Sequence, residues 1–122
     1  MNPVPLFLII VTLPLLLGGC GEKYTFTTEP ELELRYTDDE ELFYKMGSDI
    51  PYTGKEIGYL NGNRDSESNY KNGVMDGPMV IWHPNGKKVF EAIYENGNLM
   101  KGSVKWWNNK GEPVKSEEEA YK

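Results

Sequence analysis

Histidine and cysteine are almost missing: the 122 residues hold one of each. One Cys excludes an internal disulfide framework, and one His beside it excludes a zinc ribbon or any His/Cys metal cluster built by this chain alone. Charge is absent from one whole stretch, because residues 1–20 contain no Asp, Glu, Lys or Arg. All 19 acids and 13 Lys/Arg therefore follow it, for a net charge of −6. A run long enough to cross a bilayer as a helix is lacking too. The longest apolar stretch is 4–17, VPLFLIIVTLPLLL, short of the roughly 20 residues a spanning helix needs. What lies beyond it is enough for a single modest core.

That stretch has the length of a signal-peptide apolar region, here expected as an N-terminal signal helix. It ends in Leu17-Gly18-Gly19-Cys20, which resembles the lipobox of bacterial lipoproteins: a branched apolar residue, two small ones, then the cysteine that receives diacylglycerol. The resemblance implies cleavage before Cys20, whose thioether-linked and acylated N-terminus would hold the chain to a membrane. Two or more acyl chains anchor firmly, since each buried methylene contributes about 0.8 kcal/mol. Gly21, where Asp would favour inner-membrane retention, implies the outer membrane if the cell has one. The alternative is an ordinary secretory signal with an accidental Cys, and the uncharged Met1-Asn2 start and the three prolines at 3, 5 and 14 are unusual in a lipoprotein leader.

Beyond the leader the charge is uneven. Residues 22–49 carry nine acids against three bases, 50–115 seven against nine, and 116–122 three against one. The middle is nearly balanced, so no basic face for nucleic acid stands out. The run Asp38-Asp39-Glu40-Glu41 lacks the alternating oxygen ligands and turn Gly of a calcium loop and reads as a solvated turn.

What is abundant is Asn-Gly. It recurs at Asn61-Gly62, Asn72-Gly73, Asn85-Gly86 and Asn96-Gly97, and in diluted form at Asn109-Lys110-Gly111. The spacing alternates so that every second turn repeats after 24 or 25 residues, and Tyr70 and Tyr94 keep the same step. This is an internal repeat. Asn-Gly suits the two positive-φ positions of a type I′ turn, whose twist matches paired antiparallel strands. The segments between are short and rich in β-branched and aromatic residues, as in Met79-Val80-Ile81-Trp82. The predicted fold is all-β, an antiparallel meander of β-hairpin repeats with about two strands per period.

Counting back from every second turn glycine, the fifth position is Ile57, Ile81 and Trp106, and the fourth is Gly58, Trp82 and Trp107. The first set is expected in the core. Trp82 and Trp107 then point the other way, into a second packed layer or onto an exposed face with Tyr59 and His83 near the turns. Those four residues are the candidate binding residues.

The repeats YKNGVMDGPMVIWHPNG and YENGNLMKGSVKWWNNKG, with a partial copy at PYTGKEIGYLNG, resemble the bacterial variant of MORN (membrane occupation and recognition nexus) repeats. The resemblance covers roughly 51–115. It implies hairpin repeats that present a surface to partners, and bacterial relatives are often labelled antitoxins. Direct phospholipid binding is a further implication of the family name, but the near-neutral repeat offers little attraction to anionic headgroups.

Catalytic groupings are wanting. His83 precedes Pro84 at a turn and reads as a turn residue, not a general base. The pairs Glu91/Glu95 and Asp65/Glu67 read as solvated strand residues, and no Gly-rich loop leads into a helix to cradle phosphate. No enzyme activity, cofactor, metal, nucleic acid or small-molecule substrate is expected. The organisation predicted is a signal peptide over 1–19, lipid anchor and tether over 20–30, capping strands over 31–50, hairpin repeats over 51–115 and an acidic tail over 116–122. The expected function is an exported, membrane-anchored module for an unidentified protein partner. The alternative is an antitoxin or immunity-like protein acting on a toxin in the envelope.

Overall fold

The computed structural model describes residues 24–122. The signal peptide, Cys20 and the first part of the tether lie outside the described residues. The rest is an antiparallel meander, as the Asn-Gly spacing predicts. The elements are β1 (Phe26–Glu29), β2 (Leu32–Tyr36), β3 (Glu41–Lys45), β4 (Gly54–Leu60), β5 (Asn63–Lys71), β6 (Val74–Met75), β7 (Gly77–Trp82), β8 (Lys88–Glu95), β9 (Asn98–Leu99), β10 (Lys105–Trp107), β11 (Pro113–Val114) and α1 (Glu117–Ala120). The main sheet runs β1-β4-β5-β7-β8-β10-β11, with β6 beside β5 and β9 beside β8.

The tether is shorter than expected, because Phe26–Glu29 pairs with β4, Phe26 opposite Leu60. Four residues with two threonines suit a pleated edge but give too short an alternation to announce a strand. Among the described strands β2 and β3 pair with each other, and Tyr44 of β3 also bridges Pro51. Their hairpin joins the main sheet through Phe43 N–H to the Gly73 carbonyl, 2.8 Å, and the Tyr52 N–H to the Phe43 carbonyl, 2.8 Å. The Phe43 ring lies 5.1 Å from that of Tyr70. The acidic tail is also part of the fold. Ser116 caps α1, its Oγ accepting from the Glu119 N–H, and three glutamates in the first turn favour the positive end of the short helix. Ala120 is fully buried against the core.

The turns are of two kinds. Asn61, Asn72 and Asn96 have φ near +50° and their glycines φ of +80° to +85°, the two-residue type I′ geometry. Asn85 is not at positive φ; only Gly86 is, at +85°. Here Pro84-Asn85-Gly86 forms a three-residue loop, with Gly86 N–H donating to the His83 carbonyl at 2.9 Å and His83 N–H to the Lys87 carbonyl at 2.7 Å. That is a type I turn closed by a left-handed glycine. Asn109-Lys110-Gly111 repeats it, with Gly111 N–H to the Asn108 carbonyl and Asn108 N–H to the Glu112 carbonyl, both 3.0 Å. Lys110 therefore stands where Asn85 does, at a position that needs no left-handed residue.

This difference resets the faces. One row crosses the whole sheet: Thr28, Gly58, Ser66, Ile81, Phe90, Trp106 and Val114. Ile81 and Trp106 share the inner face as predicted, but Ile57 does not. It pairs with Glu67 and lies on the opposite face. The glycine of a two-residue turn is not the counterpart of the glycine of a three-residue turn, so counting back from it misplaces β4 by one residue and reverses its faces. The core on the inner face is Met79, Ile81, Val89, Phe90, Ala92 and Ala120, with Met75, Tyr94, Trp106 and Val114 packed against it. Burying each of the larger side chains contributes about 1.5–3 kcal/mol.

Candidate functional site

With the register set by pairing, Tyr59 becomes the counterpart of Trp82 and Trp107. Tyr59 pairs with Arg64 and Trp82 pairs with Lys88, while Trp107 pairs with Pro113. All three aromatics occupy the outer face, opposite the core, at the end of the sheet that carries the 61–62, 84–86 and 109–111 turns. Trp82 and Trp107 are neither in a second packed layer nor bare. The Arg64 guanidinium lies 4.7 Å from the centre of the Trp82 ring, and the Lys88 ammonium 6.0 Å from that of Trp107. Aromatic and cation thus alternate across five strands: Tyr59, Arg64, Trp82, Lys88, Trp107.

The next row inward alternates acid and apolar from Glu29 through Ile57, Glu67 and Val80 to Glu91, and ends on Lys105. Its acids hold the cations of the first row. Glu67 bridges Arg64 and Lys55, the latter at 2.8 Å, and Glu91 bridges Lys88 at 3.1 Å. The Lys55 bond and the nearby Arg64 charge hold the Glu67 carboxyl below the usual glutamate range. Each partly exposed cation–π contact contributes about 0.5–1 kcal/mol. The row braces a sheet face that no other described element covers. Arg64 and Lys88 are the members that composition and spacing alone do not single out. Their signal is positional, one cation two residues after each of the turn glycines Gly62 and Gly86.

His83 departs from this surface. Strand alternation turns it inward after Trp82, and it is buried. Its Nε2 donates to the Trp107 carbonyl at 3.1 Å, which assigns the proton to that nitrogen because a carbonyl can only accept. Its ring meets Tyr121 edge-on, with centroids 5.8 Å apart. His83 is thus a clasp between the β7–β8 loop, β10 and the C-terminal segment, and it is not available to a surface ligand.

The inner face holds a polar row absent from the sequence reading. Ser66 and Ser68 are almost wholly buried, and among the described residues neither hydroxyl has a partner within hydrogen-bond geometry. Beside them Glu56 receives the Tyr70 hydroxyl at 3.3 Å. Burial pushes the Glu56 carboxyl up, with the Tyr70 hydrogen bond pulling partly back, and burial also pushes up Asp65 and Tyr70. The row lacks a paired nucleophile and base: the one His is committed to Trp107 and Tyr121. Among the described residues no group of three His, Cys, Asp or Glu side chains is placed to hold a metal ion.

A third feature is a groove of about 710 Å³ between the β2–β3 hairpin and the β6 and β9 end of the sheet. Leu34, Phe43 and the acidic residues 38–41 of the hairpin line it together with Met75, Tyr94 and Leu99 from the sheet. Cys20 lies outside the described residues, and no helix among the described residues is long and apolar enough to cross a membrane. No family model matches the chain, and no curated protein or solved structure matches it.

Proposed function

We propose that this protein is an exported lipoprotein, anchored through Cys20, whose MORN-like repeat is a binding or scaffolding module for another protein. The observation that carries the reading is the alternating row Tyr59, Arg64, Trp82, Lys88, Trp107 on a sheet face that no other described element covers. Tryptophan and arginine are the residue types that most often dominate binding energy at protein interfaces. A regular row with cations already balanced by Glu67 and Glu91 favours a protein surface over a polyanion, which would seek unpaired cations. The lipid supplies membrane attachment, so the repeat itself is free to face a partner.

A second reading, an immunity-like protein that neutralises a toxin in the envelope, is favoured by the groove beside loop 38–41. A groove lined by apolar side chains and four carboxylates is complementary to a basic protein segment.

Crosslinking in intact membranes, followed by capture of the Cys20-bearing chain, tests both. Trp82→Ala with Trp107→Ala should lose one specific partner while circular dichroism shows the fold retained. Retention of the partner by that variant, with loss on neutralising residues 38–41 to Asn and Gln, would transfer the function to the groove.

A further inference from the structure

Four Asn-Gly steps share one sequence, but the fold holds them differently. An Asn-Gly step can lose its side-chain amide when the glycine nitrogen, as its anion, attacks the asparagine Cγ. The new N–Cγ bond closes a five-membered succinimide, the Cγ–Nδ2 bond breaks, and ammonia leaves. Water then opens either carbonyl, giving aspartate or an isoaspartate linked through its β-carbon. The net change is one water consumed and one ammonia released. Three conditions favour it: a glycine N–H free of hydrogen bonds, room for the ring, and a polarised side-chain carbonyl.

The Gly73 N–H donates to the Tyr52 carbonyl at 2.8 Å, Gly86 to His83 at 2.9 Å and Gly97 to Met75 at 2.7 Å. Among the described residues the Gly62 N–H has no acceptor. Space follows the same order. A Cβ on Gly73 would come within 2.9 Å of Leu42 and one on Gly97 within 3.5 Å of Val74, whereas nothing stands within 4 Å at Gly62. Gly86 is equally open, but both amide atoms of Asn85 are held, Nδ2 donating to the Asn109 carbonyl at 2.6 Å and Oδ1 accepting from Lys87 N–H at 2.9 Å.

Asn61 meets the third condition as well. Its Oδ1 accepts the Thr25 N–H at 2.9 Å, a donor placed where negative charge develops when Cγ is attacked. Its Nδ2, the leaving group, is not held among the described residues. We propose that Asn61 is a spontaneous deamidation site of the folded protein, one of four like sequences selected by its hydrogen bonds. The consequence is local. Asn61 also donates its N–H to the Thr25 carbonyl at 2.7 Å, so its two bonds clamp the residue that leads into β1. An isoaspartate adds a backbone atom to a two-residue turn whose residue 61 sits at φ +51°, and both bonds to Thr25 are lost. Ageing would release the first strand of the sheet, the strand nearest the N-terminal segment.

The test ages the purified folded chain at mildly alkaline pH, labels isoaspartate with protein-isoaspartate methyltransferase, and maps the peptides. Label at residue 61 should appear several-fold faster than at 72, 85 or 96, and a urea-unfolded sample should label all four alike. Asn61→Gln should remove that label without raising the others. Equal labelling of all four in the folded chain, or first labelling at any of the other three, would overturn the proposal.

Discussion

The hairpin β4–β5 and the hairpin β7–β8 have the same backbone plan and opposite interiors. Pairing aligns Glu56 with Met79, Gly58 with Ile81, Asp65 with Val89, Ser66 with Phe90, and Ser68 with Ala92. Asp65 and Val89 are each the extra residue of a bulge, between the Gly58/Tyr59 and Ile81/Trp82 steps of the partner strands. The second hairpin supplies five of the buried apolar core residues, Met79, Ile81, Val89, Phe90 and Ala92, and the aligned positions of the first supply none. On the outer face the two agree: Tyr59 answers Trp82, Arg64 answers Lys88 and Glu67 answers Glu91. The repeat is preserved where it faces outward and has diverged where it faces inward. A sheet that needed only a core would show the reverse. The turns and outer pattern therefore define this unit, and the second hairpin provides the stability on which the polar interior of the first depends.

Exchanging residues between the two hairpins sharpens this comparison. Val89→Asp puts the first hairpin's residue into the second's fully buried bulge, and should cost about 3–5 kcal/mol in urea unfolding, as an unpaired buried charge does. The reciprocal Asp65→Val should instead gain about 1 kcal/mol, by relieving a desolvated carboxyl. A loss of the same size from both exchanges would show that the two bulges are equivalent and defeat the comparison.

The paired exchange one row away is smaller. Ala92→Ser should cost about 1–3 kcal/mol, while Ser68→Ala removes an unpartnered hydroxyl and should stabilise by about 1 kcal/mol. A Ser68→Ala protein weaker than its parent would mean that this hydroxyl has a partner in solution, a bound water being the simplest.

The smallest effect concerns pH. Burial raises the Glu56 carboxyl above its unfolded value, so the folded state holds the proton more tightly than the unfolded one. Its contribution is complete below the unfolded pKa and is lost as pH rises through the folded one. Glu56→Gln keeps an acceptor for the Tyr70 hydroxyl and does not ionise. The variant should gain on the parent as pH rises from about 4 to neutral, read as the difference between their urea midpoints. A constant difference across that range would show that Glu56 is solvated.

Much of this was readable in advance, and the failures have a common cause. Asn61-Gly62, Asn72-Gly73 and Asn96-Gly97 announced hairpins because the residues themselves set the turn, and the structure puts strands on both sides of each. Asn85-Gly86 looks the same in sequence, yet Pro84 shifts the turn by one position. Face assignment inherits that shift, which puts Ile57 inward in the sequence pattern and hides the kinship of Tyr59 with Trp82. The burial of His83 depends on Tyr121 returning from the far end of the chain, a contact no local pattern records. β1 was hidden by its brevity. The polar row would have emerged from aligning Tyr70 with Tyr94 and stepping back in twos, since that ruler does not pass through a turn of variable length.

The order of the strands has a consequence for how the sheet comes into being. From β4 to β11 every pairing is between strands adjacent along the chain or separated only by a two-residue strand. Contacts are therefore close in sequence, and low contact order favours quick assembly. A chain emerging from its N-terminal side can zip one strand at a time, each new strand meeting a template already formed. Only β1 must wait, because the β2–β3 hairpin separates it from β4. Assembly in vectorial order thus makes β1 first and leaves it unpaired until β4 follows the intervening hairpin.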